Sequence, residues 1–359
     1  FVAVLFGCHF FVYFSLVKFL GIATVNTKIW LGSILFILGI SFFVSSALAH
    51  YTENAITKTF YFFSGLWLGF GLNLILAFIV SWIIIGIAKF FGIQFDYKYL
   101  VMAAVVFATV FSSYGVWNVY HPQVKNITVK IKNLPESWRG KTAVQLSDVH
   151  LGLVLGADFL ANIVQKVNVI KPDIVFITGD LFDGMDGNLS ALVDPLNNLK
   201  PADGAYFVTG NHETYLGVST AFEALKSTPV KILKDELVDV SGMQILGISY
   251  PERGENRNVE NVIANIKNFD AKKPSILLYH NPAEAQHAQA SGVNLQLAGH
   301  THVGQLFPFQ FITQLVYGKY FYGLNIDGDF SIYTSSGIGT WGPTMRTSSN
   351  PEIVVIHFE

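Results

Sequence analysis

The stretch LQLAGHTHVGQ, residues 295–305, sets the terms for the whole chain. A short apolar run ends at Gly299, and His300 and His302 follow with a single Thr between them. Only ten of the 359 residues are histidine, so two placed one residue apart at the end of a buried-looking strand call for a chemical reason. If the pair continues strand geometry, both imidazoles point to one face and can serve one metal ion or two adjacent ions.

The same pattern recurs upstream. Short runs rich in Val and Ile, each read as a buried strand, end in polar side chains: AVQLSDVH (143–150), DIVFITGD (173–180), GAYFVTGNHE (204–213) and SILLYHNP (275–282). MQILGISY, FSIYTSSG and the terminal EIVVIHFE read as further strands, ITVKIKNL (127–134) as a half-buried one, and DFLANIVQKVNVI (158–170) as a helix before Lys171-Pro172. Strands alternating with helices predict a layered α/β or α+β domain, and such folds bind ligands beyond the carboxyl ends of their strands. Five strand ends carry metal-type side chains: Asp148 and His150, Asp180, Asn211 and His212, His280, then His300 and His302. One histidine after a strand is ordinarily a loop residue. Half of the histidines gathered at such ends, with carboxylate and amide oxygens and no thiolate, suit Mn, Fe or Zn and disfavour a structural zinc. The pairs His300/His302 and Asp148/His150 with three further ligands make about seven, which exceeds one four-coordinate ion and suits two ions sharing Asp180.

In order along the chain, Asp148-x-His150, Gly179-Asp180-x-x-Asp183, Gly210-Asn211-His212-Glu213, His280 and Gly299-His300-x-His302 resemble the calcineurin-like metallophosphoesterases. The resemblance covers residues 125–359. LSDVHLG, GNHETY, GHTHVGQ and SSGIGTWGPTMRTSSNPEI are similar to the membrane-anchored bacterial branch and to animal transmembrane proteins carrying such a domain. Val303 stands where related sequences often have Gly. The resemblance implies a four-layer sandwich of two β-sheets flanked by helices. It implies that Asp148, His150 and His302 hold one divalent ion, that Asn211, His280 and His300 hold a second (Mn, Fe or Zn), and that Asp180 bridges them. His212, oriented by Asp183, would protonate the leaving oxygen. Such ion pairs clamp phosphoryl oxygens and activate water.

The first third is of a different kind. Residues 1–120 hold five Lys, two acids and no Arg, and the mean hydropathy of +0.43 averages this oily third with an ordinary remainder. Four runs, residues 1–22, 29–49, 60–87 and 100–120, are long enough to span a bilayer, which takes about 20 apolar residues. The expected organisation is an all-α transmembrane bundle over 1–120 and a phosphoesterase domain over 121–359. A signal peptide would show one short apolar region, not four. The chain begins with Phe rather than Met, which leaves room for residues upstream. Gly65-Leu-Trp-Leu-Gly69 is a GxxxG that would admit a partner helix, and Asn73 is placed to bridge to a neighbour. No carboxylate or Arg falls inside the runs, so transport is not indicated. Lys18, Lys28, Lys89 and Lys98 on one side, against Lys58 and Lys125 on the other, lean the domain toward the extracytoplasmic face of a cell (inner) membrane. A net charge of −2 shows no basic footprint for nucleic acid, and Cys8 alone excludes a disulfide framework.

Three further readings complete the expectations. Arg346 either binds substrate phosphate or pairs with a surface carboxylate. Glu213 positions its loop by hydrogen bonding. FPFQFITQLVYGKYFYG, residues 307–323, has seven aromatics in seventeen residues. It either covers the sheet as a buried segment or lies at the membrane interface beside the site, with Trp341 on the same rim. The function these features favour is a membrane-integral, two-metal phosphoesterase acting on a phosphomonoester, phosphodiester or pyrophosphate, with four spans suggesting a lipid substrate. A membrane-anchored phosphodiesterase for soluble nucleotides or cyclic phosphodiesters, and a non-catalytic metal- or phospholipid-binding scaffold, are the alternatives.

Overall fold

The computed structural model of the protein describes residues 2–184, 188–255 and 258–359. Phe1, where the first predicted span begins, lies outside them. The chain forms two compact units: the helices up to Trp117 together with Gly342–Thr347, and Asn118–Trp341 with Ser348–Glu359.

The first unit contains α1 (Val2–Phe19), α2 (Val25–Tyr51), α3 (Ala55–Phe90) and α4 (Lys98–Val119). All four are long and apolar enough to cross a membrane. Apolar side chains face outward all round, and polar ones turn inward and pair between helices, since lipid offers them no partner. The Asn73 amide donates to Ser112 Oγ at 2.9 Å, Trp67 Nε1 to His9 Nε2 at 3.1 Å, and Trp82 Nε1 to Ser15 Oγ at 2.9 Å. The GxxxG face does not await a partner helix, because Gly342–Thr347 fills it. A Cβ on Gly65 would meet the Gly342 carbonyl oxygen at 3.2 Å, and one on Gly69 would sit 2.3 Å from Met345 Sδ. Gly115 belongs to the same small-residue surface, with its carbonyl accepting from the Arg346 backbone N–H at 3.0 Å. The sequence places Gly342–Thr347 with the C-terminal domain; its packing groups it with the helices, because only glycine faces let backbone approach this closely.

The second unit contains β1 (Gln123–Val129), β2 (Thr142–Leu146), α5 (Ala157–Ile170), β3 (Ile174–Thr178), α6 (Leu189–Val193), β4 (Ala205–Val208), α7 (Asn211–Leu216), α8 (Val218–Leu225) and β5 (Val230–Ile232). It continues with β6 (Glu236–Val240), β7 (Met243–Gly247), α9 (Val259–Asn265), β8 (Ser275–Leu278), α10 (Ala285–Ala290), β9 (Leu295–Ala298), α11 (Gln310–Tyr317), β10 (Gly323–Asp327), β11 (Phe330–Thr334) and β12 (Glu352–Phe358). Two mixed six-stranded sheets result, ordered β1-β12-β2-β3-β4-β5 and β10-β11-β9-β8-β7-β6.

Strand alternation explains the layers. Ile174 and Phe176 of β3 face Ile276 and Leu278 of β8 and Leu295 and Leu297 of β9 in the core between the sheets. Val175 and Ile177 point the other way, onto Leu160, Ile163 and Val167 of α5. Leu277 and Ala298 cover the second sheet's outer side with Ile263 of α9 and Ala288 of α10. These strands are buried on both faces, so they read as continuous apolar runs. Parallel register aligns their ends, with Leu146 opposite Ile177, Thr178 opposite Val208 and Leu278 opposite Leu297. The carboxyl ends of β2, β3 and β4 therefore meet those of β8 and β9. Gln145 ties the sheets there, its amide donating to Thr178 Oγ1 and to the Ala298 carbonyl oxygen.

Candidate metal centre

Every predicted ligand lies just beyond these aligned ends, Asn211 as the first residue of α7 and the others on the connecting loops, and the backbone there is unusual. Asp148, His150, Asp180, His300 and His302 all have positive φ, between 48° and 73°. That region costs a non-glycine residue roughly 1–3 kcal/mol, and such strain collects at functional sites. Leaving β9 at Ala298, His300 and His302 do not continue strand geometry, so the expectation of a shared face fails: each imidazole joins a different group. His302 meets Asp148 and His150, while His300 meets Asp180 and His280. Val303 also adopts a left-handed conformation (φ 52°, ψ 36°), which is where a glycine would sit without strain.

In the first group, His150 Nε2 and His302 Nε2 are 3.0 Å apart, and His302 Nε2 is 3.1 Å from Asp148 Oδ1. Donor atoms this close, on side chains from separate loops, would suit a shared ion. In the second group, His280 Nε2 lies 3.1 Å from Asp180 Oδ2. The same oxygen is 3.8 Å from His150 Nε2, so it faces both groups. Asp180 Oδ1 is taken by the His212 backbone N–H at 2.8 Å. His280 Nδ1–H donates to the Thr178 carbonyl at 2.7 Å, which turns Nε2 inward. Asn211 Oδ1 is buried without a hydrogen-bond partner, as a ligand oxygen held ready for a cation would be. Donor types, spacing and this orphaned oxygen fit two divalent ions. Among the described residues, every group of three or more His, Cys, Asp or Glu close enough to share an ion falls at this site.

Electrostatics point the same way. Burial would raise Asp148 and Asp180, but His302 beside the first and His280 beside the second reverse this and hold both below the usual carboxylate range. Burial opposes charge on His280, yet Asp180 outweighs it and pushes the imidazole up to about 10. Burial and the neighbouring His280 bring His300 down to about 4. Burial, with His212 and His302 nearby, lowers His150 well below its ordinary value.

Two acids hold the loops. Glu213 is fully buried and accepts three backbone N–H groups, from Gly210 at 2.6 Å, Asp180 at 2.9 Å and Phe182 at 3.1 Å. This is the loop-positioning role expected of it. Burial and the charge of Asp180 push its carboxyl up to about 7. Asp183 differs from expectation. His212 Nδ1–H donates at 2.9 Å to the backbone carbonyl of Asp183, not to its carboxylate. The carboxylate lies 3.7 Å from His150 Nδ1, and burial with Asp180 nearby raises its pKa well above the ordinary value. A group disposed to stay protonated there is a poor anionic partner, and the neutral carbonyl takes its place. Two glycines are set by close approach: a Cβ on Gly210 would fall 2.2 Å from Asp180 Oδ1, and one on Gly299 2.2 Å from Asp148 Oδ2.

The open side carries an aromatic collar. The rings of Tyr215 and Trp341 lie 5.3 and 6.3 Å from His212, Tyr250 lies 6.0 Å from both His280 and His300, and Tyr317 lies 6.0 Å from His300. Trp341 was anticipated on the rim. Tyr317 falls in the 307–323 stretch that one reading sets beside the site; Tyr215 and Tyr250 were not anticipated, although Tyr250 follows β7 at a strand end like those of the ligands. Arg346 belongs to the helical unit and is fully buried.

Residues 141–304 match the profile of the calcineurin-like phosphoesterases. An uncharacterized metallophosphoesterase of Campylobacter jejuni is 36% identical over 66% of this chain and 63% of its own length. A transmembrane protein with metallophosphoesterase domain from Danio rerio is 34% identical over 70% and 61%. The chain thus spans about three fifths of the length of these two relatives. An uncharacterized metallophosphoesterase of Aquifex aeolicus is 31% identical over 69% of this chain and 96% of its own. With the ligand motifs assembled at the aligned strand ends, the chain belongs to the calcineurin-like metallophosphoesterase family.

Proposed function

We propose that this chain is a membrane-integral phosphoesterase that hydrolyses a phosphate ester, phosphodiester or pyrophosphate with two divalent metal ions. The observation that carries the reading is the convergence of two ligand groups on Asp180 Oδ2, which faces His280 Nε2 at 3.1 Å and His150 Nε2 at 3.8 Å. Asp148, His150 and His302 would hold one ion and Asn211, His280 and His300 the other, with Asp180 facing both groups. When bound, the ions supply Lewis acidity toward the phosphoryl oxygens and a water activated for attack. Two ligand carboxylates against two doubly charged cations leave an excess of positive charge that draws an anionic phosphate in.

His212 supplies the proton. Its Nδ1–H is fixed on the Asp183 carbonyl, which can only accept, so the imidazolium form gives its Nε2 proton to the leaving oxygen and is left as the neutral Nδ1–H imidazole. Asp183 positions His212 through its main chain. His212 and His300 are the less buried imidazoles, so the ester approaches from their side, through the aromatic collar. The four apolar helices support a membrane-embedded protein with a lipid phosphate as substrate, and the lysine distribution supports an extracytoplasmic catalytic domain in the cell membrane.

The test is hydrolysis by the purified, detergent-solubilised chain with Mn²⁺, setting bis-p-nitrophenyl phosphate beside short-chain and long-chain phospholipids, with Asp180→Asn as control. Turnover abolished in the control establishes the enzyme. Preference for long-chain lipid assigns the substrate, and equal turnover of the soluble ester assigns an anchored phosphodiesterase. A folded, metal-loaded protein with no turnover would refute the reading and leave a binding scaffold.

A further inference from the structure

The segment that leaves the metal-ligand loop ends as an exposed apolar helix. None of the residues of α11 is buried. Leu315 is 85% exposed, Val316 66%, Phe311 61% and Ile312 57%, and Phe307 and Phe309 just before the helix are also exposed. From Val303 to Gly318 there is no charged residue. Phe307–Tyr317 therefore does not cover the sheet, whereas Tyr320, later in the same 307–323 stretch, is buried with Phe330 and Ile332; the exposed part offers water a continuous apolar surface of a kind that marks an interaction site.

Its inner attachments are to the candidate centre. A Cβ on Gly304 would lie 2.4 Å from the Phe309 carbonyl carbon and the Gln310 nitrogen, so the helix start is pressed against the turn that carries His302. At the other end, the Tyr317 ring stands 6.0 Å from His300. One short helix thus presents its apolar side outward while both its ends touch the ligand loop.

The chain itself indicates what meets that surface. It carries four helices long and apolar enough to cross a membrane, so a lipid–water boundary is tethered to this domain by covalent structure. The tether recurs beside the segment. Gln305 exchanges hydrogen bonds with the Trp341 backbone at 3.1 and 3.2 Å, and Trp341 is joined by one peptide bond to Gly342, the first residue of the stretch that packs among those helices. Aromatic side chains mixed with Gln and Thr, without charge, suit the zone between headgroups and acyl chains.

We infer that Phe307–Tyr317 is a docking element that lies in the lipid–water interface and presents an amphiphilic phosphate ester to the His300 side of the centre, with Tyr317 at the crossing point. The delivery step rests on the phosphoesterase reading; the docking does not.

Two measurements on the full chain separate them. In Cys8→Ser/Leu315→Cys protein, spin-labelled and reconstituted in phosphatidylcholine nanodiscs, collision with dissolved oxygen should exceed collision with a water-soluble chromium oxalate complex. The reverse should hold for a label at Val169, which is 76% exposed on α5. A Leu315 label as open to the chromium complex as Val169 would overturn docking, and one shielded from both reagents would assign the surface to a protein partner instead. In Phe311→Ser/Leu315→Ser, turnover of long-chain phospholipid relative to bis-p-nitrophenyl phosphate should fall at least roughly tenfold, the order expected when apolar contacts to substrate are lost. Equal losses on both would overturn delivery. Wild-type protein inactive on both would refute the phosphoesterase reading and, with it, delivery, while the collision measurement still decides docking.

Discussion

Replacing Glu213 by Gln is the sharpest test of how the centre is held. The side chain keeps its shape, so no cavity forms, and Glu213 is assigned no ion. Its two oxygens receive three backbone N–H groups, two on Oε2 from Asp180 and Gly210 and one on Oε1 from Phe182. A glutamine has one carbonyl oxygen. If that oxygen keeps the pair, the amide NH₂ confronts the Phe182 N–H, donor against donor, in a fully buried position. Losing a bond to a charged acceptor and orphaning a buried donor costs roughly 2–3 kcal/mol. For a domain of this size, about 2–4 °C of Tm per kcal/mol gives a fall of about 4–12 °C. The measurement is thermal unfolding of the ion-free, solubilised chain at pH 8, above the value of about 7 to which burial raises this carboxyl, so that the wild type is ionised. Metal content by atomic emission should drop too, because Asp180 and Gly210 flank or carry ligand positions. An unchanged Tm together with unchanged ion content would refute the claim that Glu213 sets the two loops.

Asp180→Asn should reduce bound metal from two ions to at most one per chain, since a single oxygen faces both groups; atomic emission after dialysis against Mn²⁺ checks it. His212→Asn should lower kcat by roughly 10²–10⁴-fold while leaving ion content intact, the loss expected of a general acid. Gly299→Ala places a methyl 2.0 Å from Ser147 Oγ and 2.2 Å from Asp148 Oδ2, both buried, so a destabilisation of about 1–3 kcal/mol with weakened metal binding should appear in parallel denaturation and metal titrations. Within the helical unit, Gly69→Ala meets only the flexible end of Met345, whereas a Cβ on Gly115 meets Thr347 Cγ2 at 2.8 Å and Met345 Cβ at 3.0 Å. Gly115→Val should therefore lower the detergent Tm more than Gly69→Ala, and the reverse order would show that Gly342–Thr347 does not fill this face.

The packing of Gly342–Thr347 with the helices changes the meaning of the GxxxG. Small residues at Gly65, Gly69 and Gly115 admit an irregular backbone segment of the same chain, whose carbonyls and N–H groups must find partners away from water. The Gly115 carbonyl meets one of them by accepting from Arg346.

Much of this molecule is written locally. Uninterrupted apolar runs announce four helices because a bilayer imposes their length, and β2, β3, β4, β8 and β9 are visible because strands buried on both faces must be apolar throughout. The ligands are legible for a related reason: polar side chains that abruptly end such strands have no place in the core. The strands that escaped, β5, β6 and β10, lie at sheet edges, where one side is unpaired and the apolar pattern is weak. What only tertiary structure decided is which groups meet. His300 and His302 part company because positive φ at each redirects its side chain, a conformation that neighbouring loops must hold against its strain. Asp183 turned its carbonyl, not its carboxylate, to His212, a choice no residue type can reveal. Phe307–Tyr317 was equally apolar on either reading, and only the placement of the sheets beneath it left that surface facing outward. Composition and period specify what a segment can bury; burial itself depends on long-range neighbours, which the order of strands in two sheets supplies.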